Sequence, residues 1–411
     1  MKHIRDRKYG YRAAVILAAS AIAGTTPMTA FATLATKPDE NFAVVEPPAP
    51  DINKDISPEF AYSEDKWASL RDNVMEYGEL ADLIHEYNPT VRSNRSTLSD
   101  KKNQNLTEIN NELLSDAMDL WDDANSTDTD SYMGRMTAAQ LDFAGNSLAK
   151  VADQNFMDAE MYKITYDQTE ANLVFQAQQL MATYKQSAYT MENLNANRAL
   201  AQASYEATVA RQAAGMATAT DVLTALKSVQ DIDANILSSQ KSTDNVYRSL
   251  LLMLGWSADA QPDIRNIPEP DLGRIAAMNP DADKDQAIAN NYDIKYNEHK
   301  IQNLRSDDLV ASTNATLEDT RNKIYSDLKT QYNAVLDARD ALDAANIKLQ
   351  LETVNMNAAS AKAATGNISS LELIQQQTTY TAAKNSVETG KMQLFLAMEK
   401  YDWIKKGLTF Q

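Results

Sequence analysis

The chain of 411 residues contains no cysteine and only three histidines. Without cysteine there are no disulfide bonds, no thiolate metal sites and no cysteine nucleophile. The histidines are His3, His85 and His299, and His3 falls in a predicted export signal, so a three-histidine zinc site is excluded. We therefore expect no metal site and no cofactor.

Basic residues are also in deficit, with 39 Lys and Arg against 57 Asp and Glu and a formal net charge of −18. A phosphate backbone attracts basic proteins, so this balance argues against nucleic acid as a partner. No constellation of catalytic side chains stands out, and the chain is not expected to be an enzyme.

Residues 1–32 have the pattern of a secretory signal peptide. A basic start is followed by a short apolar stretch and by small residues at Ala30 and Ala32, which predicts cleavage after Ala32. The apolar stretch is shorter than the ~20 residues of a membrane span, although an uncleaved N-terminal anchor is the alternative. The sequence thus predicts an exported protein of the cell envelope, in the periplasm or the cell-wall space.

Proline is missing from two long stretches, 90–261 and 281–411, and glycine is sparse in both. Because proline costs about 3 kcal/mol inside a helix, gaps of this length favour long helices. Both stretches are also rich in Ala, Leu, Gln, Glu and Lys, which is typical of helix. A shorter helix is predicted before the first gap, opening at Ser57 and ending at Asn88, with an apolar face from Trp67 to Ile84.

The proline-rich segments divide the chain into two halves. The predicted organisation is a signal peptide (1–32), a Pro-rich linker (33–57), a first repeat (58–256), a connector (257–282), a second repeat (283–403) and a C-terminal tail (404–411).

Each half contains a helical hairpin whose turn is marked by glycine. Helix ends before Gly215 and resumes before Asp221, and in the second half it ends before Gly366 and resumes before Glu372. The two turns align at one constant offset, which indicates an internal repeat. Both second helices also end near a tryptophan, Trp256 or Trp403. Apolar residues after the first turn recur at spacings of three and four, the seam of a coiled coil: Val222, Leu226, Val229, Ile232 and Ile236.

These hairpins resemble the TolC-like outer-membrane efflux protein family, whose two repeats each have a turn of the form Gly-x5-Asp-Val-Leu. Residues 215–223 match that form closely and 366–374 loosely. The family opens each repeat with Asn-Asn-Pro-x-Leu, which corresponds here to Tyr-Asn-Pro-Thr-Val at 87–91 and Asn-Asn-Tyr-Asp-Ile at 290–294. The likeness covers about residues 58–403.

The resemblance implies an all-α fold of long antiparallel coiled-coil hairpins in two repeats, with three copies forming an α-helical barrel. It further implies a homotrimeric tunnel for export or efflux, which docks a periplasmic-adaptor-like (membrane fusion) protein. An inner-membrane transporter, such as an ABC-type permease, would supply the energy.

The resemblance also assigns roles at the hairpin turns. Six turn residues would form the adaptor-docking surface: Ala214, Gly215, Met216, Thr365, Gly366 and Asn367. Asp221 and Glu372 match acidic residues that line the family's tunnel gate, where a ring of carboxylates would bind cations and repel anions. A carboxylate in the first turn of a helix is also favoured by the helix dipole, and that plainer role stays open.

The chain departs from the family where each repeat should carry a two-stranded β-hairpin of the membrane barrel. A barrel strand needs ~10 residues of alternating apolar and polar character. Residues 122–135 and 307–316, which occupy these places, are polar and do not alternate. We expect the barrel strands to be absent, which puts the family's outer-membrane location in doubt.

The first repeat is longer than the second, because Asn88 and Gly215 are farther apart in sequence than Asn291 and Gly366. If the two arms of the hairpin share the extra residues of the first repeat equally, the first hairpin is predicted to be ~39 Å longer than the second. A continuous helix over 131–213 is predicted to span ~125 Å. Such a length suits a conduit or a stalk. An exported coiled-coil stalk or spacer is therefore the main alternative function, and an adaptor subunit is a weaker one because no β-rich domain is visible.

Overall fold

The computed structural model describes residues 62–102, 104–304 and 306–410. The predicted signal peptide and Pro-rich linker lie outside the described residues. Within them the helices are α1 (Glu64–Leu70), α2 (Leu80–Tyr87), α3 (Pro89–Lys102), α4 (Leu106–Ser126), α5 (Tyr132–Gln154), α6 (Ala159–Ala213), α7 (Ala219–Met253), α8 (Leu272–Ala277), α9 (Pro280–Asn290), α10 (Tyr292–Asn303), α11 (Asp307–Ala364) and α12 (Ser370–Lys405). Two short strands, β1 (Val74–Met75) and β2 (Asp263–Ile264), pair in parallel. The prediction of an all-α fold is confirmed.

Four helices form two long antiparallel hairpins, α6 with α7 and α11 with α12. At 1.5 Å per residue, the 55 residues of α6 span ~83 Å and the 58 residues of α11 span ~87 Å. Because α6 also packs against α12, the four helices lie in the order α7, α6, α12, α11. The predicted seam of α7 faces into this layer, with Val229 buried and its four companions half-buried.

Two hydrophobic clusters anchor the hairpins at a distance from their turns. The first surrounds Trp256 and Leu250 at the end of α7 and includes α2 residues such as Ile84. The second surrounds Tyr401 near the end of α12 and includes Ile294 from α10. Short helices therefore pack around the base of each hairpin, and the long arms extend from these two cores.

The internal repeat is visible in the two asparagines that open each half. Asn88 caps the start of α3, and its Nδ2 donates to the carbonyl of Met253 at the end of α7 (2.8 Å). Asn291 caps the start of α10, and its Nδ2 donates to the carbonyl of Gly407 beyond α12 (3.0 Å). Each asparagine thus ties the beginning of its repeat to the end of that repeat.

All four positive-φ glycines among the described residues follow a long helix: Gly215 after α6, Gly255 after α7, Gly366 after α11 and Gly407 after α12. A left-handed residue is a common way to end a helix, and glycine adopts it without a Cβ penalty. The glycines mark the repeat better than the tryptophans. Trp256 follows Gly255, whereas Trp403 lies inside α12, one helical turn before Gly407.

The continuous helix predicted over 131–213 is wrong. The chain forms α5, leaves helical geometry at 155–158, and starts α6 with Asp158 as N-cap. At this break the side chains of Asn110 and Asn155 bond across the gap, with Asn155 Nδ2 donating to Asn110 Oδ1 (2.8 Å). Because the break has its own cap and its own cross-link, it is stable without proline or glycine.

The surplus residues of the first repeat therefore do not lengthen the long hairpin. They form a separate pair of antiparallel helices, α4 and α5, which we call the side hairpin (105–155). In the second repeat the same connection, between α10 and α11, takes only 304–306. Two polar stretches were predicted to be unsuited to barrel strands. In the structure, 122–135 forms the turn of the side hairpin with its flanking helix ends, and 307–316 forms the beginning of α11.

The helix predicted from Ser57 to Asn88 is also divided within the described residues. It is interrupted after α1, where Asp72 Oδ1 accepts a hydrogen bond from the N–H of Val74 (2.7 Å) and the chain enters β1. At the other end of the chain the predicted tail is closely packed, because Leu408 is buried and Phe410 packs against the second core.

Candidate functional site at the hairpin turns and open edges

The first turn is a tight glycine-centred link between α6 and α7. The N–H of Gly215 donates to the carbonyl of Gln212 (2.9 Å), and the N–H of Met216 donates to that of Arg211 (2.8 Å). This is the Schellman pattern, which satisfies the last carbonyls of a helix through a left-handed glycine.

The second turn repeats the first bond by bond at the predicted offset. The N–H of Gly366 donates to the carbonyl of Ala363 (3.0 Å), and the N–H of Asn367 donates to that of Lys362 (2.8 Å). The φ angles of the two glycines, 74° and 72°, are nearly equal. The two turns are therefore two copies of one backbone structure that differ mainly in their side chains.

Both turns are open on their outer side. All six predicted turn residues are exposed, and Met216 retains 65% of its surface. A Cβ atom added at Gly215 or at Gly366 would meet no neighbouring atom within 4 Å. Another backbone can therefore approach either turn closely without displacing a side chain.

Asp221 and Glu372 close a capping box after each turn. Asp221 Oδ2 accepts from the N–H and the hydroxyl of Thr218 (both 2.8 Å), while Thr218 Oγ accepts from the N–H of Asp221 (3.2 Å). Glu372 Oε2 accepts in the same way from the N–H and hydroxyl of Ser369 (2.8 and 2.9 Å). Each carboxylate thus stabilises the start of its helix, which is the plainer of the two predicted roles. The gate role stays a prediction.

These hydrogen bonds favour the charged carboxylates. The Thr218 N–H and hydroxyl lower the pKa of Asp221, and those of Ser369 lower the pKa of Glu372. A carboxyl whose pKa is lower in the folded protein contributes stability that is complete above its unfolded pKa. That contribution is lost as the pH falls through the lowered pKa.

We expect the two turns to loosen in acid before the rest of the hairpins. Below about pH 4, the ordinary range of carboxyl groups, amide exchange corrected for its intrinsic rate should accelerate at 219–223 and 371–375. The start of α5, which Ser131 caps without an acidic partner, is the matched control. Equal acceleration at all three helix starts would contradict the assigned role of the carboxylates.

The outer face of α11 carries an exposed apolar stripe near the turn. Its members recur at alternating spacings of three and four: Ala344, Ile347, Leu351, Val354, Ala358 and Ala361. Ile347, Leu351 and Val354 expose 67%, 58% and 66% of their surfaces. Leu342, which packs against α12, lies on the other side of the helix. We call this set the α11 stripe.

A second exposed stripe lies on α7, at the opposite edge of the four-helix layer. Leu223 and Leu237 are 65% and 52% exposed, and the exposed Lys227, Gln230 and Ala234 lie between them at heptad spacing. Lys227 pairs with Asp231 of the same helix (2.6 Å). We call these five residues the α7 stripe.

Each stripe begins close to its turn, and by the helical rise each ends ~30 Å from that turn. The two turns are not level, because Thr378 Oγ1 of α12 donates to the carbonyl of Ala196 in α6 (3.3 Å), although Thr378 is much closer in sequence to its turn than Ala196 is to the other. By the helical rise the α11 stripe is therefore set back from the α7 stripe by ~10 Å along the hairpins.

In the described part of the chain, no group of three or more His, Asp or Glu side chains is placed to hold a metal ion. None of the helices described is long and apolar enough to cross a membrane.

Comparison with solved structures finds several proteins to which this chain is similar. A membrane protein from Pseudomonas aeruginosa matches with a TM-score of 0.51 and 14% identity, over 80% of this chain and 90% of that one. The CmeC outer membrane channel of Campylobacter jejuni matches with a TM-score of 0.48 and 9% identity, over 87% and 93%. The outer membrane protein VceC of Vibrio cholerae matches with a TM-score of 0.45 and 11% identity, over 80% and 96%.

At these identities the likeness is one of fold. No protein-family profile and no curated protein sequence matches the chain. The resemblance to TolC-like proteins that the turn motifs indicated is confirmed as a likeness of fold.

Proposed function

We propose that three copies of this chain form a closed helical tunnel that serves as the exit duct of an export or efflux system in the cell envelope. The observation that carries this proposal is the pair of open edges. The α7 and α11 stripes lie on opposite edges of one four-helix layer, and their heights overlap over ~20 Å. A contact between two different edges of identical chains generates a ring when the rotation closes.

The number of copies and the partners follow from the resemblance to the TolC-like family. Three chains would place twelve long helices around a lumen and six turns at one mouth. The exposed turns at Gly215 and Gly366 would receive the helical hairpin of an adaptor protein. Asp221 and Glu372 would surround the mouth with carboxylates that favour cations over anions. The chain would supply the passage, and an inner-membrane transporter such as an ABC-type permease would supply the energy.

Cysteine cross-linking tests the ring directly, because the chain has no thiol of its own. The substitutions Leu351→Cys and Leu237→Cys place thiols on the two stripes at ~21 Å and ~29 Å from their turns, and so at nearly one height once the ~10 Å set-back of the second turn is counted. Oxidation of the double variant of residues 33–411, without detergent, should give covalent dimers and trimers and no larger species. Either single variant alone should stay monomeric under denaturing conditions, since a cysteine then faces no second thiol.

The pattern of products separates the possible outcomes. A ladder that continues beyond the trimer would mean an open filament, and covalent products absent from the double variant would contradict the edge pairing. Electron microscopy of the native trimer should show a lumen along its axis. A two-stranded rod without a lumen would instead favour the exported stalk.

A further inference from the structure

The side hairpin projects from the end of the molecule opposite to the turns. Its two helices pack on each other, with 21 residues in α4 and 23 in α5, or ~32–35 Å of length. Its base lies beside the first turn of α6, where the Lys101 ammonium sits over the ring of Tyr162 (5.2 Å) and Asn110 bonds Asn155. Nothing in the described second repeat corresponds to it, since 304–306 connect α10 directly to α11.

One face of α5 is closely packed against α4. Leu148 and Ala152 are buried there, and Gly145 allows the ring of Trp121 to approach, because a Cβ at this position would lie 2.6 Å from Trp121 Nε1. Ala117 is the facing buried residue of α4. This face fully accounts for the pairing of the two helices.

A second face of α5 has the same kind of spacing but no neighbour among the described residues that buries it. Exposed residues recur at spacings of three and four: Met133, Met136, Gln140, Phe143 and Ser147. Phe143 and Met133 expose 75% and 70% of their surfaces, and Met136 exposes 43%. We call these five residues the α5 stripe. Heptad spacing of this kind, with polar residues at two of its positions, is typical of the seam of a helical assembly with a defined register.

Charge is distributed unequally between the two helices. α4 carries six acidic side chains and no basic one, while α5 carries two of each sign. The turn between them adds Asp128 and Asp130. α5 therefore brings no net charge to a contact between copies, with Lys150 as the charged residue that continues the stripe beyond Ser147, and α4 would then present its negative charge to solvent. The same acidity opposes contact with an anionic lipid surface.

We propose that the α5 stripe is a contact between copies of this chain, in which three α5 helices pack in parallel around a common axis with α4 outside. The threefold symmetry of this bundle rests on the proposed tunnel. The apolar layers at Met133, Met136 and Phe143 supply the association. Gln140 and Ser147 face the axis as polar layers, where they bond to their symmetry mates and fix the register. The side hairpins thus join the three chains a second time, ~80 Å from the turns.

A single cysteine on the stripe tests this arrangement in the full chain from residue 33. Phe143→Cys would bring three thiols close together at the axis. Because a disulfide joins only two thiols, mild oxidation should link two of the three chains of each ring into a covalent dimer and leave the third chain unlinked. Ser115→Cys is the matched control, because Ser115 is exposed on the face of α4 turned away from α5. It should give at least tenfold less dimer under the same conditions.

The outcomes distinguish this proposal from the proposed function. If the Leu351→Cys, Leu237→Cys pair forms covalent trimers while Phe143→Cys gives no more dimer than Ser115→Cys, the tunnel stands and the α5 bundle is overturned. If neither variant cross-links, both proposals fail. If Phe143→Cys alone cross-links, the side hairpins associate without the tunnel.

Vesicles provide the second arm of the test. In a flotation assay, the unmodified protein should not bind phosphatidylcholine vesicles. The Met136→Glu, Phe143→Glu variant should likewise remain unbound. Flotation of the native protein that this variant abolishes would show that the α5 stripe meets lipid, and it would overturn the contact between copies.

Discussion

Alanine in place of Gly407 is expected to lower the free energy of unfolding by about 3–5 kcal/mol, from backbone strain and overpacking together. Gly407 has a φ of 112°, which an L-residue rarely adopts. An added Cβ would also lie 2.2 Å from the carbonyl oxygen of Asn290 and 3.1 Å from the Cα of Asn291. Both obstacles are backbone atoms, so no side-chain rotation relieves them.

Gly366→Ala is the matched control, since Gly366 has a φ of 72° and no atom within 4 Å of the added Cβ. Gly366→Ala should lower the free energy of unfolding by about 1–2 kcal/mol, which is the strain of placing an L-residue in the left-handed conformation. Urea denaturation followed by circular dichroism measures both variants. Equal costs for the two would contradict the close approach that we describe between the end of α12 and the start of the second repeat.

Charging the α11 stripe is expected to dissociate the trimer into folded monomers. In one chain Leu351 and Val354 expose more than half of their surfaces, so Leu351→Asp with Val354→Asp should leave the helix content unchanged. In the ring the two carboxylates would be buried against α7 of the next copy without partners, at a cost of several kcal/mol for each contact. Light scattering coupled to gel filtration at micromolar concentration measures the change.

A control with the same added charge comes from the neighbouring face of α11. Gln350 and Asn357 are exposed and lie at the same height, outside the stripe. Gln350→Asp with Asn357→Asp should leave the trimer intact. If both double variants dissociate it equally, net charge rather than edge contact controls assembly, and the proposed pairing of α7 with α11 is wrong.

Much of the long-hairpin architecture was predictable because its signals are local and repeated. Proline-free stretches, a glycine at each turn and the seam from Val222 to Ile236 all indicate helices that pair with a sequence neighbour. The turns at Gly215 and Gly366 were also predictable, because a Schellman turn followed by a capping box leaves a short motif.

The division of the first repeat was not predictable in the same way, since the break at 155–158 contains neither proline nor glycine. Its only sequence signal is Asp158, an N-cap followed by Glu160 in the first helical turn. The polar stretch 122–135 was predicted to be unsuited to a strand, and its composition equally suits the turn between two helices that the structure shows at 127–131.

The open edges show a different limit of sequence analysis. The α11 stripe could have been found from its spacing, but heptad spacing does not reveal whether the partner helix lies in the same chain or in another copy. Exposure in the folded chain decides this question. Likewise, the sequence identified Asp221 and Glu372 as candidate site residues. Only the structure shows that their carboxylates accept hydrogen bonds from Thr218 and Ser369.

The self-contained ends of the side hairpin have an evolutionary consequence. The segment begins with its own cap at Asn105, and α6 restarts with a cap of its own at Asp158. Gain or loss of this segment therefore leaves the first turn of α6 complete. Related chains should accordingly vary most in length here, while the spacing from α6 through its turn to α7 stays constant.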